Sequence, residues 1–140
     1  MSKVTRRTIL LSSAAAASSL AARAMAVSDR HRDFIEAAFR MRDEAVQSGD
    51  QAHGAVLVKD GRIAGFGPSR VVLKKEWDAH AEREAIRDAQ ARLGSRDLSG
   101  SVLYSSSRPC ANCQAVAAEA NVARMIYGRD ATDGGAPRRN

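Results

Sequence analysis

The sequence predicts an α/β protein, a three-layer α/β/α sandwich with a mixed, largely parallel sheet. Apolar runs typical of strands alternate with amphipathic helices from Ile63 onward. Right-handed crossovers between such elements place helices over a largely parallel sheet. In addition, Asp60-Gly61 lies between two apolar runs, and this dipeptide is a strong signal for a two-residue hairpin because glycine tolerates the positive φ of the turn. The hairpin makes the predicted sheet mixed.

The first 26 residues are typical of an export signal. Thr5-Arg6-Arg7-Thr8 is a paired-arginine start, an Ala/Ser/Leu run follows, and Ala24-Met25-Ala26 offers a small-x-small cleavage site. The pattern resembles a twin-arginine signal, so we expect export, to the periplasm, and removal of residues 1–26. The alternatives to an export signal are a membrane anchor and an ordinary N-terminal helix. The apolar run is short and rich in Ala and Ser, whereas a spanning helix needs about 20 mostly apolar residues.

Removal of this segment changes the charge of the protein. The whole chain has 22 basic and 16 acidic residues, a net charge of +6. Four of the basic residues and none of the acids lie in residues 1–26, which leaves 18 against 16, or +2, for residues 27–140. So small a net charge gives little support for a nucleic-acid partner.

Helices and strands follow from hydrophobic periodicity and from local start and stop signals. Ser28 or Asp29 is expected to cap the first helix. Asp78 is expected to cap the second helix and Gly94 to end it. Pro109 is expected to be the first residue of the third helix. The predicted helices are 28–47, 78–93 and 109–120, and the predicted strands are 55–58, 63–68, 101–105 and 123–127. Residues 69–77 are expected to form a loop, and residues 130–140 a frayed tail within the single domain 27–140. His31 falls in a polar first turn and is expected to be solvated.

Two short clusters contain the chemistry, His80-Ala81-Glu82 and Pro109-Cys110-Ala111-Asn112-Cys113. One His and two Cys are the ligand count of a catalytic zinc site that leaves a fourth position to water. Glu82 is not needed as a ligand and is free to move a proton, whereas Glu84 is expected to point away as a surface acid. Both clusters are expected at helix N-termini, where the dipole favours thiolate over thiol.

Together, H-x-E and P-C-x-x-C form the signature of zinc-dependent nucleobase deaminases. The chain resembles the cytidine deaminase-like superfamily over residues 55–128, and guanine deaminases and tRNA-adenosine deaminases in particular. Besides the two clusters, the segments 55–61 and 126–128 look like those enzymes. The resemblance implies a cytidine deaminase-like fold and one zinc ion held by His80, Cys110 and Cys113. Glu82 would then be the general acid and base of a hydrolytic release of ammonia from a nucleobase, a nucleoside or a related amino-heterocycle.

Several other interpretations stay open. A structural zinc would want four protein ligands, and a redox C-x-x-C would leave His80 and Glu82 without a role. A catalytically inactive relative that only binds a base, or a deaminase that edits nucleic acid or acts as a toxin, also fits the motifs.

Departures from the family concern the substrate pocket. His53 follows Ala52 where the relatives have Pro-Phe, Ser69 stands where they commonly have a base-binding Asn, and Arg108 stands where they commonly have Glu. With Trp77, which could stack on a base, these residues are our candidate substrate contacts. The chain has few residues after Gly128, so we expect no fifth strand and no terminal helices. The resemblance implies a homodimer, and an open site or one completed by the second subunit.

Overall fold

The computed structural model describes residues 13–139. The described residues divide into two compact units, with the boundary between Arg30 and His31. In the first unit the described residues are helical throughout and belong to helix α1, Ser13–Gln47. No helix among the described residues is long and apolar enough to cross a membrane. The paired-arginine start, residues 5–8, lies outside the described residues.

Helix α1 corrects two expectations. It passes through Ser28 and Asp29 instead of being capped there, because neither Gly nor Pro interrupts residues 13–47 and the segment is rich in alanine, the strongest helix former. His31 is also not simply solvated. Its Nδ1 lies 2.7 Å from the hydroxyl of Tyr104, on the sheet.

A five-stranded sheet forms the centre of the second unit, with the order β2-β1-β3-β4-β5. The Asp60-Gly61 hairpin is confirmed, and both residues have positive φ, 53° and 73°. The strands are β1 Gly54–Lys59, β2 Arg62–Pro68, β3 Val102–Ser105, β4 Arg124–Tyr127 and β5 Thr132–Gly135.

The sheet is mixed, as predicted, but it is not largely parallel. Among the described strands, β3 and β4 are the single parallel pair, whereas β1 pairs antiparallel with both β2 and β3, and β5 pairs antiparallel with β4. The reason lies in the crossover after β2. Strand β3 does run parallel to β2, but it joins the far side of β1, so that β1 separates the two strands. The alternation of strands and helices in the sequence predicts the direction of each strand, but it does not predict which strand lies beside it.

Helices cover both faces of the sheet, which gives the predicted three layers. Alternate residues of β1 point to opposite faces: Ala55 and Leu57 pack with α3, Ala81–Leu93, and with α4, Ala111–Glu119. Val56 and Val58 pack on the other face with the second half of α1 through Ile35 and Ala38.

Two glycines of β2 let α3 approach the sheet closely. A Cβ atom added at Gly67 would lie 2.0 Å from the carbonyl oxygen of Ala81, and one at Gly65 would lie 2.1 Å from that of Ala85. Since real Cβ atoms do not come so close to backbone, both positions require glycine. The contact fixes the height of α3 over the sheet, and therefore the position of the residues at its start.

Both site helices begin later than predicted. The first intrahelical bond of α3 is from the amide of Glu84 to the carbonyl of His80, and that of α4 is from Gln114 to Cys110. His80 and Cys110 are therefore the N-caps. Asp78, the predicted cap of α3, instead pairs with Arg83 at 3.1 Å, and Pro109, predicted as the first residue of α4, lies before its cap. Gly94 ends α3 in the left-handed conformation, as predicted.

Two segments expected to lack regular structure contain it. The predicted loop 69–77 includes the short helix α2, Val71–Lys74. The predicted frayed tail includes β5, the fifth strand that was expected to be missing. Its sequence, Thr-Asp-Gly-Gly, has no apolar residue, so hydropathy could not reveal it. It is held as an edge strand by backbone pairing with β4 and by an ion pair between Arg124 and Asp133.

Candidate active site

The starts of α3 and α4 meet above one face of the sheet, and they bring the two sequence clusters together. His80 Nδ1 lies 3.4 Å from Cys113 Sγ and 3.6 Å from Cys110 Sγ. One ligand atom from each residue can be chosen so that all three lie within 4.8 Å of one another. Both cysteines are free thiols. The three predicted metal ligands are therefore assembled, with no fourth residue in the group found among the described residues.

Backbone geometry explains this convergence. His80 and Cys110 have extended N-cap conformations, with ψ of 156° and 167°, so both side chains leave the helix at its end. Cys113 lies one turn further on the same side, and its amide donates a hydrogen bond to Cys110 Sγ at 3.4 Å. Such amide-to-sulfur bonds stabilise negative charge on the sulfur.

These residues fit a zinc ion by the chemistry of the donor set. Burial raises the pKa of the Cys113 thiol strongly, and the nearby Glu82 carboxylate raises it further. A thiolate at this position is consequently stable only beside a cation. Two sulfurs and one imidazole nitrogen are the borderline-soft donors that zinc prefers.

Glu82 lies beside the ligand group without being part of it. It is 5% exposed, and its Oε1 accepts a hydrogen bond of 2.6 Å from the hydroxyl of Ser105, which is itself buried. The residue also lines the cavity at the site. A buried carboxylate that is held in place beside the ligand group is suited to proton transfer. The sequence analysis did not identify Ser105, since a serine in a strand gives no signal of its own.

The cavity of about 140 Å³ next to these residues contains three of the four predicted substrate contacts, His53, Ser69 and Arg108. Trp77 is not among its lining residues and is 73% exposed, because it lies in the turn after α2. The remaining lining residues are Gln51, His80, Glu82, Ser107 and Cys110. Gln51 and Ser107 were not singled out in the sequence, since neither belongs to a motif.

Hydrogen bonds hold the cavity wall in place. Ser69 is fully buried, and its hydroxyl donates to Asp50 Oδ1 at 3.0 Å. The other oxygen of Asp50 accepts from the amides of Val72 and Leu73 at 3.0 and 2.9 Å, at the start of α2. Burial alone would raise the pKa of Asp50, but the bonds from Leu73, Gln51, Ser69 and Val72 outweigh it and hold the pKa below its ordinary value.

Glu84 corrects one further expectation. It is 8% exposed instead of being a surface acid. Its two oxygens pair with Lys74 at 2.6 Å and with Arg87 at 2.9 Å. It is not among the residues that line the cavity, and its pair with Lys74 joins α3 to α2.

Comparison with known proteins gives a consistent picture. Residues 28–129 match the family model described as the cytidine and deoxycytidylate deaminase zinc-binding region. The chain is 36% identical over 104 residues to the guanine deaminase of Bacillus subtilis, a match that covers 74% of this chain and 67% of that protein. It is 36% identical over 103 residues to a tRNA-specific adenosine deaminase of Agrobacterium fabrum, covering 74% of this chain and 68% of that protein.

A solved structure of guanine deaminase from Bacillus subtilis superimposes with a TM-score of 0.67 at 35% identity, covering 70% of this chain and 63% of that chain. The matches thus span about two thirds of these relatives. Fold and site together define the class, a zinc-dependent deaminase. Since the family model matches well over half of the sequence, the chain belongs to the cytidine and deoxycytidylate deaminase family.

Proposed function

We propose that the protein catalyses the hydrolytic removal of an amino group from a nucleobase, a nucleoside or a similar amino-heterocycle, with release of ammonia. The observation that carries this proposal is Glu82, a buried carboxylate outside the metal-ligand group that lines the same cavity as His80 and Cys110. A purely structural zinc site would give this carboxylate no role.

His80, Cys110 and Cys113 would hold the zinc ion. When bound, zinc in such a three-ligand site supplies a water of lowered pKa and so a nucleophile at neutral pH. Glu82, which lines the same cavity, acts as the proton carrier. It takes one proton from water and gives it to the ring nitrogen of the substrate. It then takes the second proton from the hydroxyl added to the ring carbon and gives it to the amino group, which leaves as ammonia while the carbonyl forms. Overall, water and an amino-heterocycle give a carbonyl compound and ammonia.

The polar cavity wall is proposed to orient the heterocycle. His53 and Ser107 are joined by a hydrogen bond of 3.2 Å, which leaves the other ring nitrogen of His53 for the substrate. Ser69 already donates its proton to Asp50, so its hydroxyl can act only as an acceptor towards a ring N–H or amino group. The relatives' names mention guanine and adenosine, and both molecules contain a purine ring with ring nitrogens. Purine bases and purine nucleosides therefore come first among the substrates to test.

An assay of ammonia release tests the proposal. The purified protein is measured for zinc per protomer and assayed on guanine, adenine and cytosine, their nucleosides, and single-stranded DNA. We expect about one zinc per protomer, turnover of at least one small substrate, and a loss of roughly 10²–10⁴-fold in Glu82→Gln, the usual contribution of a general acid–base group. Glu119→Gln, on an exposed residue of α4, is the matched control. Stoichiometric zinc without turnover of any substrate would contradict the proposal and favour an inactive, base-binding relative.

Editing of nucleic acid is the second candidate, because one of the relatives is named for its action on tRNA. The small net charge of residues 27–140 speaks against it. Turnover of polynucleotide alone in the same assay would favour this candidate.

We also propose that the protein is exported by the twin-arginine route and acts as a homodimer. Export rests on Arg6-Arg7, the Ala-rich run and Ala24-Met25-Ala26. Export of an already folded, zinc-loaded protein would protect Cys110 and Cys113 from oxidation to a disulfide. Sedimentation analysis of the purified protein tests the dimer.

A further inference from the structure

We propose that Arg108, Arg138 and Arg139 form an anion-binding site beside the cavity and that it takes the phosphate monoester of a nucleotide substrate. The inference rests on the proposed function and narrows its substrate class. The site is a groove of about 410 Å³ whose lining residues are Arg108, Pro109, Ala111, Gln114, Arg138 and Arg139.

The groove is continuous with the candidate active site. Arg108 lines both the groove and the cavity that contains His80 and Glu82. A ligand whose heterocycle occupies the cavity would therefore have a second part within reach of the guanidinium groups. A nucleotide is such a ligand, because it contains a base and a phosphate in one molecule.

The chain after β5 is held against α4, which brings two of the arginines to the groove. The amide of Arg138 donates to Gln114 Oε1, and Arg139 Nη2 donates to the carbonyl of Ala118, both at 3.4 Å. Two hydrogen bonds thus hold these exposed residues against α4. The bond from Arg139 uses only one of the five N–H donors of its guanidinium.

The groove has a positive charge that no lining residue balances. None of its six lining residues is acidic, and none of its three guanidinium groups forms an ion pair with any described residue. By contrast, three cationic side chains near α2 and α3 are paired: Arg70 with Glu44, Lys74 with Glu84, and Arg87 with both Glu76 and Glu84. Planar guanidinium forks bind the oxygens of phosphate in pairs.

The size of the cluster favours one phosphate group over a polynucleotide. A phosphate monoester carries close to two negative charges at neutral pH, which three guanidinium groups can balance. A nucleic-acid strand would need a longer track of unpaired cations, and the paired arginines and lysine named above do not provide one. Arg108 supplies a positive charge at the point where groove and cavity join.

Binding measurements test the inference separately from catalysis. Calorimetry on the zinc-loaded full chain compares guanosine, adenosine and cytidine with their 5′-monophosphates. We expect at least one monophosphate to bind about tenfold or more tightly than its nucleoside, as befits charge-assisted hydrogen bonds. Inorganic phosphate should compete with the monophosphate and not with the nucleoside. The double variant Arg138→Gln/Arg139→Gln should lose most of this advantage and keep its affinity for the nucleoside.

Arg96→Gln, at an exposed position outside this groove, is the matched control and should keep the advantage. Equal affinity for nucleoside and monophosphate, or an advantage that survives the double variant, would overturn the inference. Tighter, arginine-dependent binding of single-stranded DNA would replace it with a nucleic-acid interface. Deamination of free bases without phosphate preference would refute this site alone, whereas arginine-dependent binding without any deamination would refute the proposed activity alone.

Discussion

At the scale of single residues, the hydrogen bond between Ser105 and Glu82 is the contact on which proton transfer depends. At 2.6 Å between two buried residues, it fixes the orientation of the carboxylate. The hydroxyl of Ser105 also gives a hydrogen-bond partner to a buried oxygen of Glu82. Leaving a buried polar group without a partner costs about 1–3 kcal/mol, and more if the group is charged.

Ser105→Ala is therefore expected to lower the free energy of unfolding by about 1–3 kcal/mol and to reduce kcat more than it changes KM, because the substrate wall stays intact while Glu82 loses its orientation. Urea denaturation and steady-state kinetics measure the two effects. Ser105→Thr keeps the hydroxyl and should restore most of both. If Ser105→Ala left kcat unchanged while lowering stability, the role of Ser105 would be structural only.

At the scale of elements, the short helix α2 depends on one carboxylate. Asp50 accepts the amides of Val72 and Leu73 and the hydroxyl of Ser69, so it caps α2 and also holds a residue of the cavity wall. Because those bonds keep the pKa of Asp50 below its ordinary value near 3.8, the stabilisation is complete above about pH 4 and is lost as the pH falls through the lowered pKa.

Asp50→Ala should cost about 1 kcal/mol, the typical worth of such a cap, and should raise KM because Ser69 is no longer fixed. The difference in stability between wild type and variant should shrink as the pH falls below 4, since the wild type then loses the same interaction. Urea titrations at pH 7 and pH 3 measure it. A difference that stayed constant with pH would rule out the ionised carboxylate as the cause.

The packing of α3 on β2 gives a second prediction for an element. Gly67→Ala places a methyl group where the carbonyl of Ala81 lies only 2.0 Å away, so α3 must move outward together with His80 at its start. Overpacking of this kind typically costs about 1–3 kcal/mol. We expect a weaker affinity for zinc as well, measured by competition with a chromophoric chelator.

Gly134→Ala, in the edge strand β5, is the matched control for Gly67→Ala. Its added Cβ would lie 3.0 Å from the ring of Tyr127 and 3.3 Å from the carbonyl oxygen of Met125, contacts that are much milder than the 2.0 Å at Gly67. Zinc affinity equal to wild type in Gly67→Ala would show that the height of α3 does not position His80.

At the scale of the whole molecule, the sequence predicts the metal ligands better than the sheet that supports them. His80, Cys110 and Cys113 could be found because the chemistry demands fixed residue types at fixed spacing. The order of the strands could not be found, since the hydrophobic pattern of β3 is the same whether it pairs with β1 or with β2. Strand β5 and the bond from Ser105 to Glu82 were missed because polar residues held by tertiary pairing give no periodic signal.

The proposed export concerns the whole chain, because the compartment that the protein reaches sets the redox conditions for Cys110 and Cys113. Two thiols that must hold zinc in an oxidising compartment are best protected if the metal is bound before export, and a route for folded proteins allows this.

Arg6→Lys/Arg7→Lys should therefore keep the protein in the cytoplasm at its full length, whereas Arg23→Lys, outside the paired-arginine start, should not. Cell fractionation with mass analysis of the N-terminus measures both. Exported wild-type protein should begin near Val27 and contain zinc. Equal export of the paired-arginine variant would refute the twin-arginine route, and exported protein with a Cys110–Cys113 disulfide would refute loading before export.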